Sequence, residues 1–416
     1  MTFNKKKKKD NIFKKYFNKI KKVYHKNVTN NKNKFNITET IVFMLVTFAF
    51  GLIIGGVIMY GKGTFSSNSS LHEFAKTYNE IVNSYYQEVD ADKLLESGIS
   101  GMINYLGDPY STYMSKDDAE TFNEDVEGIY YGIGAEIKYS DDLKNVLIGR
   151  VFDSSPASKA GIKTDDILLK VNGESIEKMS LSKIASIVKG EKKTNVIITV
   201  LRNGEEKEFT IKRDAVDSIS VNGKIIEKDD KKIGYLAISI FASNTYDQFE
   251  KELTRLEEEG IDALIIDVRG NSGGYLTTVT NIISLFTKKG DVIYQLKTKD
   301  KVDVICDETK EERNYKIAVL TNSLSASASE VLTGALKETY KAKVVGTKTF
   351  GKGKVQKVYA LSNGAMVKYT YQEWLTPNGN YIDKEGITPD VEIKYEYNKD
   401  GKDNQLEKAI EVILEK

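Results

Sequence analysis

Residues 316–340 read KIAVLTNSLSASASEVLTGALKETY, an unbroken apolar strand that passes through four alternating serines into an apolar-periodic helix. A strand with no polar alternation is covered on both faces, as in a sheet packed between helices. The same order appears upstream, where ALIIDVRGNSGG (263–274) leads into a helix near Leu276 to Phe286. Outward from these two units lie the strand KIGYLAISIFA (232–242), a helix from Tyr246 to Glu259, the strand VIYQLK (292–297), and the strand-rich stretches KVVGTKTFGKGKVQKVYAL (343–361) and AMVKYTYQEWLTP (365–377). Residues 214–395 therefore read as α/β. Ligands in such sheets sit where strands end and helices begin, which is where the serine-rich and glycine-rich segments fall.

The remainder of the chain differs in character. Of 416 residues, 61 are Lys or Arg and 60 are Asp or Glu, yet residues 1–39 hold 13 lysines and only two acids, a surplus of 11 positive charges that leaves the rest at −10. Residues 40–61, TIVFMLVTFAFGLIIGGVIMYG, contain no charge. As a helix this stretch spans about 33 Å against a hydrocarbon core of about 30 Å, so a transmembrane helix is expected; a cleaved signal peptide is the rival, with a poor cleavage site. The basic tail sets the N-terminus in the cytoplasm and residues 62–416 outside, at the cell membrane, single-pass. A lysine arm of this kind meets anionic lipid, and nucleic acid is not expected as a partner. Four prolines and one cysteine, Cys306, exclude collagen-like, disulfide-framework and cysteine-zinc classes. Only His25 and His72 exist, both before the globular part, so a histidine-based triad or zinc site is excluded there.

After a linker, Leu71, Phe74, Ala75, Tyr78, Ile81, Val82 and Tyr85 trace a helix with one buried stripe, and Leu94 to Leu106 a second, closing at Gly107 before LGDPYS. Residues 62–122 form this linker and helical region. Residues 123–213 turn to short strands, YGIGAEIKY, NVLIGRVF, DILLKVNG, and a hairpin at Asn203-Gly204, with one helix near Ser180 to Lys189. This order, with SPASKAGIKTDDILLKVNG (155–173), resembles a permuted PDZ domain of bacterial proteases. Such domains bind a polypeptide C-terminus as an added strand, its carboxylate held by a glycine-containing loop. The resemblance puts that loop at Tyr131, Gly132, Ile133 and Gly134, and sets Lys189 where many relatives have a ligand-sensing arginine. Asp165-Asp166 replaces the usual Gly-Asp, a turn that Asp tolerates. Residues 396–416 are expected to form a C-terminal helix.

Three segments of the α/β part could carry chemistry: RGNSGG (269–274), SLSASASE (323–330) and TFGKGKVQ (349–356). Singly each has a plain reading, as a strand-to-helix turn, a Ser-x-x-Glu capping box and a flexible hairpin. Spacing alone does not choose among Ser325, Ser327 and Ser329, nor among Lys348, Lys352 and Lys354.

Together, with LGDPYS and the closing LTPNGNYIDKEGITPD, they resemble the carboxyl-terminal processing peptidases, or tail-specific proteases, over residues 71–395. The resemblance implies a ClpP/crotonase-like α/β peptidase core with an inserted PDZ domain and a Ser-Lys dyad. Its catalytic residues are Ser327 as nucleophile, Lys352 as general base and Gln356 as the residue orienting the amine. Its oxyanion hole is the backbone N–H of Gly273 and Ala328. No cofactor or metal is expected. The partners so implied are protein substrates with apolar C-termini, the membrane, a second copy of the chain through Leu71 to Tyr85 and the Ala409 to Leu414 stripe, and a regulatory partner of unknown identity. A tethered PDZ scaffold that binds without cutting and an acyl-CoA enzyme of the crotonase type are the competing readings.

The chemistry suits a chain without histidine. A serine hydroxyl needs a neighbouring base, and a neutral amine can serve. Lysine begins near pKa 10.4, so burial must disfavour its charged form by roughly 3 to 5 kcal/mol to bring it to about 7 to 8. Gly351 and Gly353 beside Lys352 allow that burial, and an extended strand would turn Lys352 and Gln356 to one face.

Overall fold

The computed structural model describes residues 18, 44–51, 69–142, 144–310, 313–397 and 401–415. It divides into two units, residues 1–95 and 96–416. Of the expected membrane span only residues 44–51 are described, as an exposed helical stretch, and the rest of 40–61 lies outside the described residues, as does the basic tail apart from residue 18. Among the described residues no helix is long and apolar enough to cross a membrane. The first unit also contains helix α1, Ser69–Ser84, and the start of α2, Ala91–Tyr105. The expected buried stripe of α1 is open in the single chain, with Leu71 66% and Phe74 45% exposed.

In the second unit, β1 (Thr112–Met114) and α3 (Lys116–Glu127) follow the LGDPYS turn. Neither has a long apolar pattern, so neither was legible. Ser115 caps α3 and Gly128, at φ 70°, ends it. The stretch YGIGAEIKY divides into two strands, β2 (Ile129–Gly132) and β3 (Ala135–Tyr139), which join different sheets. The break falls at Gly134, whose φ of +74° and approach to Ser155 leave no room for a Cβ.

β3, β4 (Val146–Val151), β5 (Ile167–Val171), β7 (Asn195–Arg202) and β8 (Glu205–Lys212) form an antiparallel sheet, with the short β6 (Glu174–Ser175) beside β5. Helices α4 (Pro156–Ala160) and α5 (Leu181–Val188) cover it over a core including Ile148, Leu168, Ile184 and Ile198. The hairpin turns at Asn203 (φ 53°) and Gly204 (φ 81°), as Asn-Gly demands. Asp165 takes φ 67°, the left-handed turn expected of it. The chain leaves this module through β9 (Asp214–Asp217), which pairs with β2, so the two connections into and out of it run side by side.

The remaining core has a six-stranded sheet: β10 (Val221–Lys228), β11 (Lys231–Ile238), β12 (Ala263–Asp267), β15 (Lys316–Thr321), β16 (Lys343–Gly346) and β19 (Val391–Glu392), parallel from β11 onward. Its apolar strands serve two cores. Leu264, Ile266, Ile317 and Val319 face α6 (Thr245–Glu258), α7 (Leu276–Ser284) and α8 (Ala328–Ala335), while Ile265, Ala318 and Leu320 face Ala409, Ile410 and Ile413 of α9 (Asn404–Leu414). The C-terminal stripe read as apolar surface for a second copy is thus buried within its own chain. β13 (Val292–Lys297), β14 (Val302–Cys306), β17 (Lys354–Ala360) and β18 (Met366–Leu375) make a second sheet, which β1 joins by pairing with β18.

Candidate active site

Ser327 is the N-cap of α8, at the end of the turn 322–326 that follows β15, and holds φ 56°, ψ −114°. A non-glycine residue at positive φ is uncommon and persists only where its surroundings enforce it. Here the enforcement is visible. Ala326 N–H donates to the Asn271 carbonyl at 3.0 Å, and the Ser327 N–H donates to Glu330 Oε2 at 2.9 Å, the reach-back of the Ser-x-x-Glu capping box. The three serines left equivalent by spacing are not equivalent in space. Ser325 and Ser329 are fully buried, their hydroxyls donating to the carbonyls of Val268 and Asn271 at 2.8 Å each, whereas Ser327 is partly exposed.

The lysines separate as sharply. Lys348 is half exposed beside Glu385, and Lys354 is paired with Glu373 and Asp383, which hold its amine up against the effect of burial. Lys352 is partly buried, and its Nζ makes no hydrogen bond or ion pair among the described residues; it lies 5.1 Å from the ring centroid of Tyr110. Burial, and then the Lys368 cation, push the Lys352 amine below its ordinary value, against the opposing pull of Glu330 and Asp108. Its backbone is fixed on both sides: the N–H donates to Glu330 Oε2 at 2.8 Å and the carbonyl accepts from Trp374 Nε1 at 2.9 Å. The FGKGK segment is therefore a braced loop, where a flexible hairpin was the plain reading. A Cβ at Gly353 would lie 2.7 Å from Asp383 N, so glycine is required for this close approach.

Glu330 unites the two segments. Fully buried, its carboxylate accepts from Ser327 N and Lys352 N through Oε2, and from Thr349 Oγ1 at 2.6 Å and Gly351 N at 2.7 Å through Oε1. Burial raises its pKa while these four donors oppose the rise. The reading of Glu330 as a helix cap alone missed the second half of its role, because no local signal ties residue 330 to residues 349–352.

Gln356 makes no hydrogen bond to Lys352 among the described residues. β17 begins only at Lys354, so Lys352 lies before the strand and an even interval counted from it does not give a shared face. The Gln356 amide donates instead to Thr370 Oγ1 at 3.3 Å.

At the RGNSGG loop, Gly273 abuts the serine: a Cβ there would lie 2.8 Å from Ser327 Cβ and 3.1 Å from Ala328 N. Of the expected oxyanion donors, the Gly273 N–H is spent on Asn271 Oδ1 at 2.8 Å, while the Ala328 N–H makes no hydrogen bond among the described residues. Arg269 locks the start of the loop, donating to Asp267 and, across the sheet, to Asp403 and Gln405.

The LGDPYS turn, for which no role was read, forms a wall here. Ser111 Oγ donates to Asp108 and accepts from Thr370 N at 3.0 Å, joining this turn to β18 beside the partner of Gln356.

In the smaller module an apolar cavity of about 90 Å³ is lined by Gly132, Ile133, Gly134, Ala185, Val188 and Lys189, among others. Tyr130 lines it rather than Tyr131, whose ring lies under Lys192. Lys189 Nζ sits 4.8 Å from the Tyr130 ring centroid.

Family models match in the same places. The model described as Peptidase family S41 covers residues 232–393, a PDZ domain model covers 148–202, and the activating protease CtpB N-terminal domain covers 58–118. The chain belongs to peptidase family S41 and is a serine peptidase carrying a PDZ domain. It is similar to the probable CtpA-like serine proteases of Staphylococcus aureus strain N315, 36% identical over 360 residues, covering 86% of this chain and 71% of that one, and of Staphylococcus haemolyticus strain JCSC1435, 36% identical over 384 residues, covering 88% and 76%. Against the corresponding protein of Staphylococcus aureus strain COL it is 38% identical over 331 residues and spans 66% of that length. Among solved structures, the photosystem II D1 C-terminal processing protease aligns at 25% identity and a TM-score of 0.45, over 77% of this chain and 92% of that one.

Proposed function

We propose that this peptidase is a membrane-anchored endopeptidase that takes exposed apolar protein C-termini into its PDZ cavity and cleaves upstream, with Ser327 as nucleophile and Lys352 as general base. The observation that carries the proposal is the shared Glu330 carboxylate, which joins the backbone of Ser327, the one accessible serine among Ser325, Ser327 and Ser329, to that of Lys352, the one lysine among Lys348, Lys352 and Lys354 with no ion pair among the described residues. Neutral Lys352 removes the Ser327 proton as Oγ attacks the scissile carbonyl. The resulting ammonium then returns the proton to the departing amine, and water released onto the acyl-enzyme repeats the sequence. The Ala328 N–H at the helix start stabilises the oxyanion, joined by Gly273 when its bond to Asn271 opens. Gln356 reaches Lys352 only after leaving Thr370.

The cavity is small and its walls are mostly apolar, which favours a tail ending in a small apolar side chain, with its carboxylate at Gly132 to Gly134. Anchoring rests on the uncharged 40–61 stretch and the lysine arm before it, which orient the catalytic part outside the cytoplasm. The test is cleavage of a protein with an exposed apolar tail by the wild type and by Ser327→Ala and Lys352→Ala variants. Both variants are expected to be inactive and folded; near wild-type turnover by either ends the dyad assignment, and binding without cleavage by the wild type leaves the scaffold reading.

A further inference from the structure

We infer that Tyr110 is a positioning residue for the Lys352 amine, its ring forming the wall on which Nζ rests and which keeps water from it. The inference builds on the assignment of Lys352 as general base. Tyr110 lies in the LGDPYS turn, and its placement is dictated by backbone geometry. Its own N–H donates to Asp108 Oδ1 at 3.2 Å, Ser111 N–H donates to the Asp108 carbonyl at 3.2 Å, and Ser111 Oγ accepts the Thr370 N–H of β18 at 3.0 Å. Immediately afterwards β1 pairs with the same strand, Thr112 opposite Lys368. The turn is thereby fastened to the sheet beside Lys352, with the ring centroid 5.1 Å from Nζ. The Tyr110 hydroxyl makes no hydrogen bond among the described residues, so the ring is the part in use.

An ammonium in water has three hydrogen-bond acceptors, and here the Lys352 amine has none among the described residues. The ring face returns only a weak attraction for the cation, roughly 0.5 to 2 kcal/mol, less than burial removes. The charged groups around the amine are Lys368 of β18, Glu330 of α8 and Asp108 of the turn, while Asp383 and Lys354 stand near the Tyr110 ring. Burial is the largest effect and favours the neutral amine, as Lys368 does, while the two carboxylates oppose it; the ring at 5.1 Å is part of that burial. Opening that wall lets water solvate the ammonium and lowers the fraction of neutral base about tenfold for each pH unit of upward shift.

The experiment uses the full chain with Tyr110→Phe, Tyr110→Leu and Tyr110→Ala. Two readouts are taken across pH: kcat on a tailed peptide, and acylation of the Lys352 amine by acetic anhydride, followed by mass spectrometry. Tyr110→Phe is expected to match the wild type within about twofold. Tyr110→Ala is expected to lose about tenfold in kcat at pH 7 with KM unchanged, to shift both the acid limb and the labelling midpoint upward by about one unit, and to recover at higher pH. Tyr110→Leu, which preserves bulk, should shift both in the same direction by less, and decides the matter if the alanine variant does not fold. An unmoved labelling midpoint in a folded alanine or leucine variant, or a phenylalanine variant as impaired as alanine, overturns the inference. If the wild-type acid limb does not follow the Lys352 labelling midpoint, the base assignment fails separately, and the midpoint shift still reports on the ring.

Discussion

Ser327 and Lys352 donate their backbone N–H groups to the same oxygen, Oε2 of Glu330, at 2.9 and 2.8 Å. The two backbones are thus less than two hydrogen-bond lengths apart, although 25 residues separate them in the chain. A buried carboxylate with four donors is stiff, since breaking any bond leaves a buried donor unpaired at about 1 to 3 kcal/mol.

Glu330→Gln replaces one acceptor oxygen with a donor that faces N–H groups. We expect about 2 kcal/mol lower stability and a kcat lowered by about 10- to 100-fold through misplacement of Ser327 and Lys352. Thermal unfolding and steady-state cleavage check both, and unchanged values would show that the shared oxygen does not set the geometry.

Lys352→Met should abolish cleavage and yet stabilise the fold by roughly 1 kcal/mol, since a buried amine without acceptors is replaced by an apolar chain of similar length. The pH sign is definite. Because the folded amine titrates below its unfolded value of about 10.4, its penalty is full below the folded value and shrinks as pH rises toward 10.4. The stability gap between wild type and variant, followed by denaturant titration, should therefore be widest at low and neutral pH and close in alkali.

In the PDZ domain, Asp166 is buried and paired through both oxygens with Arg202, at 2.6 Å each. Burial raises its pKa, but Arg202 and the Lys163 N–H outweigh this and hold it below the usual carboxylate range. The resulting stability is present above about pH 3.9 and is lost as pH falls through the lowered folded value. Arg202→Met should cost about 3 kcal/mol at pH 7 by stranding Asp166. Thermal unfolding of wild type and variant between pH 7 and 2 measures this, and the wild-type advantage should shrink at the acid end.

Ala185→Leu adds three carbons beside the 90 Å³ cavity that Ala185 lines. A tenfold or greater rise in KM for an apolar-tailed substrate is expected, with kcat at saturation retained, and anisotropy of a labelled tail peptide should show the same loss. An unaltered KM would remove this cavity from tail recognition.

Much of the architecture was legible because burial on both faces writes itself into ALIID and IAVLT, and because Asn203-Gly204 needs a positive-φ turn wherever it occurs. β1 and α3 were not legible, since three residues paired to a distant strand and a helix of low hydrophobicity leave no local periodicity. The same limit applied to Gln356, because the strand that holds it begins two residues after Lys352, and to Tyr110, whose partner lies 242 positions away.

What the sequence determined by itself is a constraint on chemistry: with no histidine in the globular part, a serine hydrolase there must take its base from another side chain, and the lysines near the serine-rich turn are the candidates. What only the tertiary structure decided is which of the three hydroxyls is accessible and which of the lysines lies without an ion pair among the described residues. Ser325, Ser327 and Ser329 alternate identically along the chain, as Lys352 and Lys354 do. Exposure and charge neighbours are properties of three-dimensional packing, and it is packing that buries two of the serines on Val268 and Asn271, pairs Lys354 with Glu373, and leaves Lys352 against Tyr110.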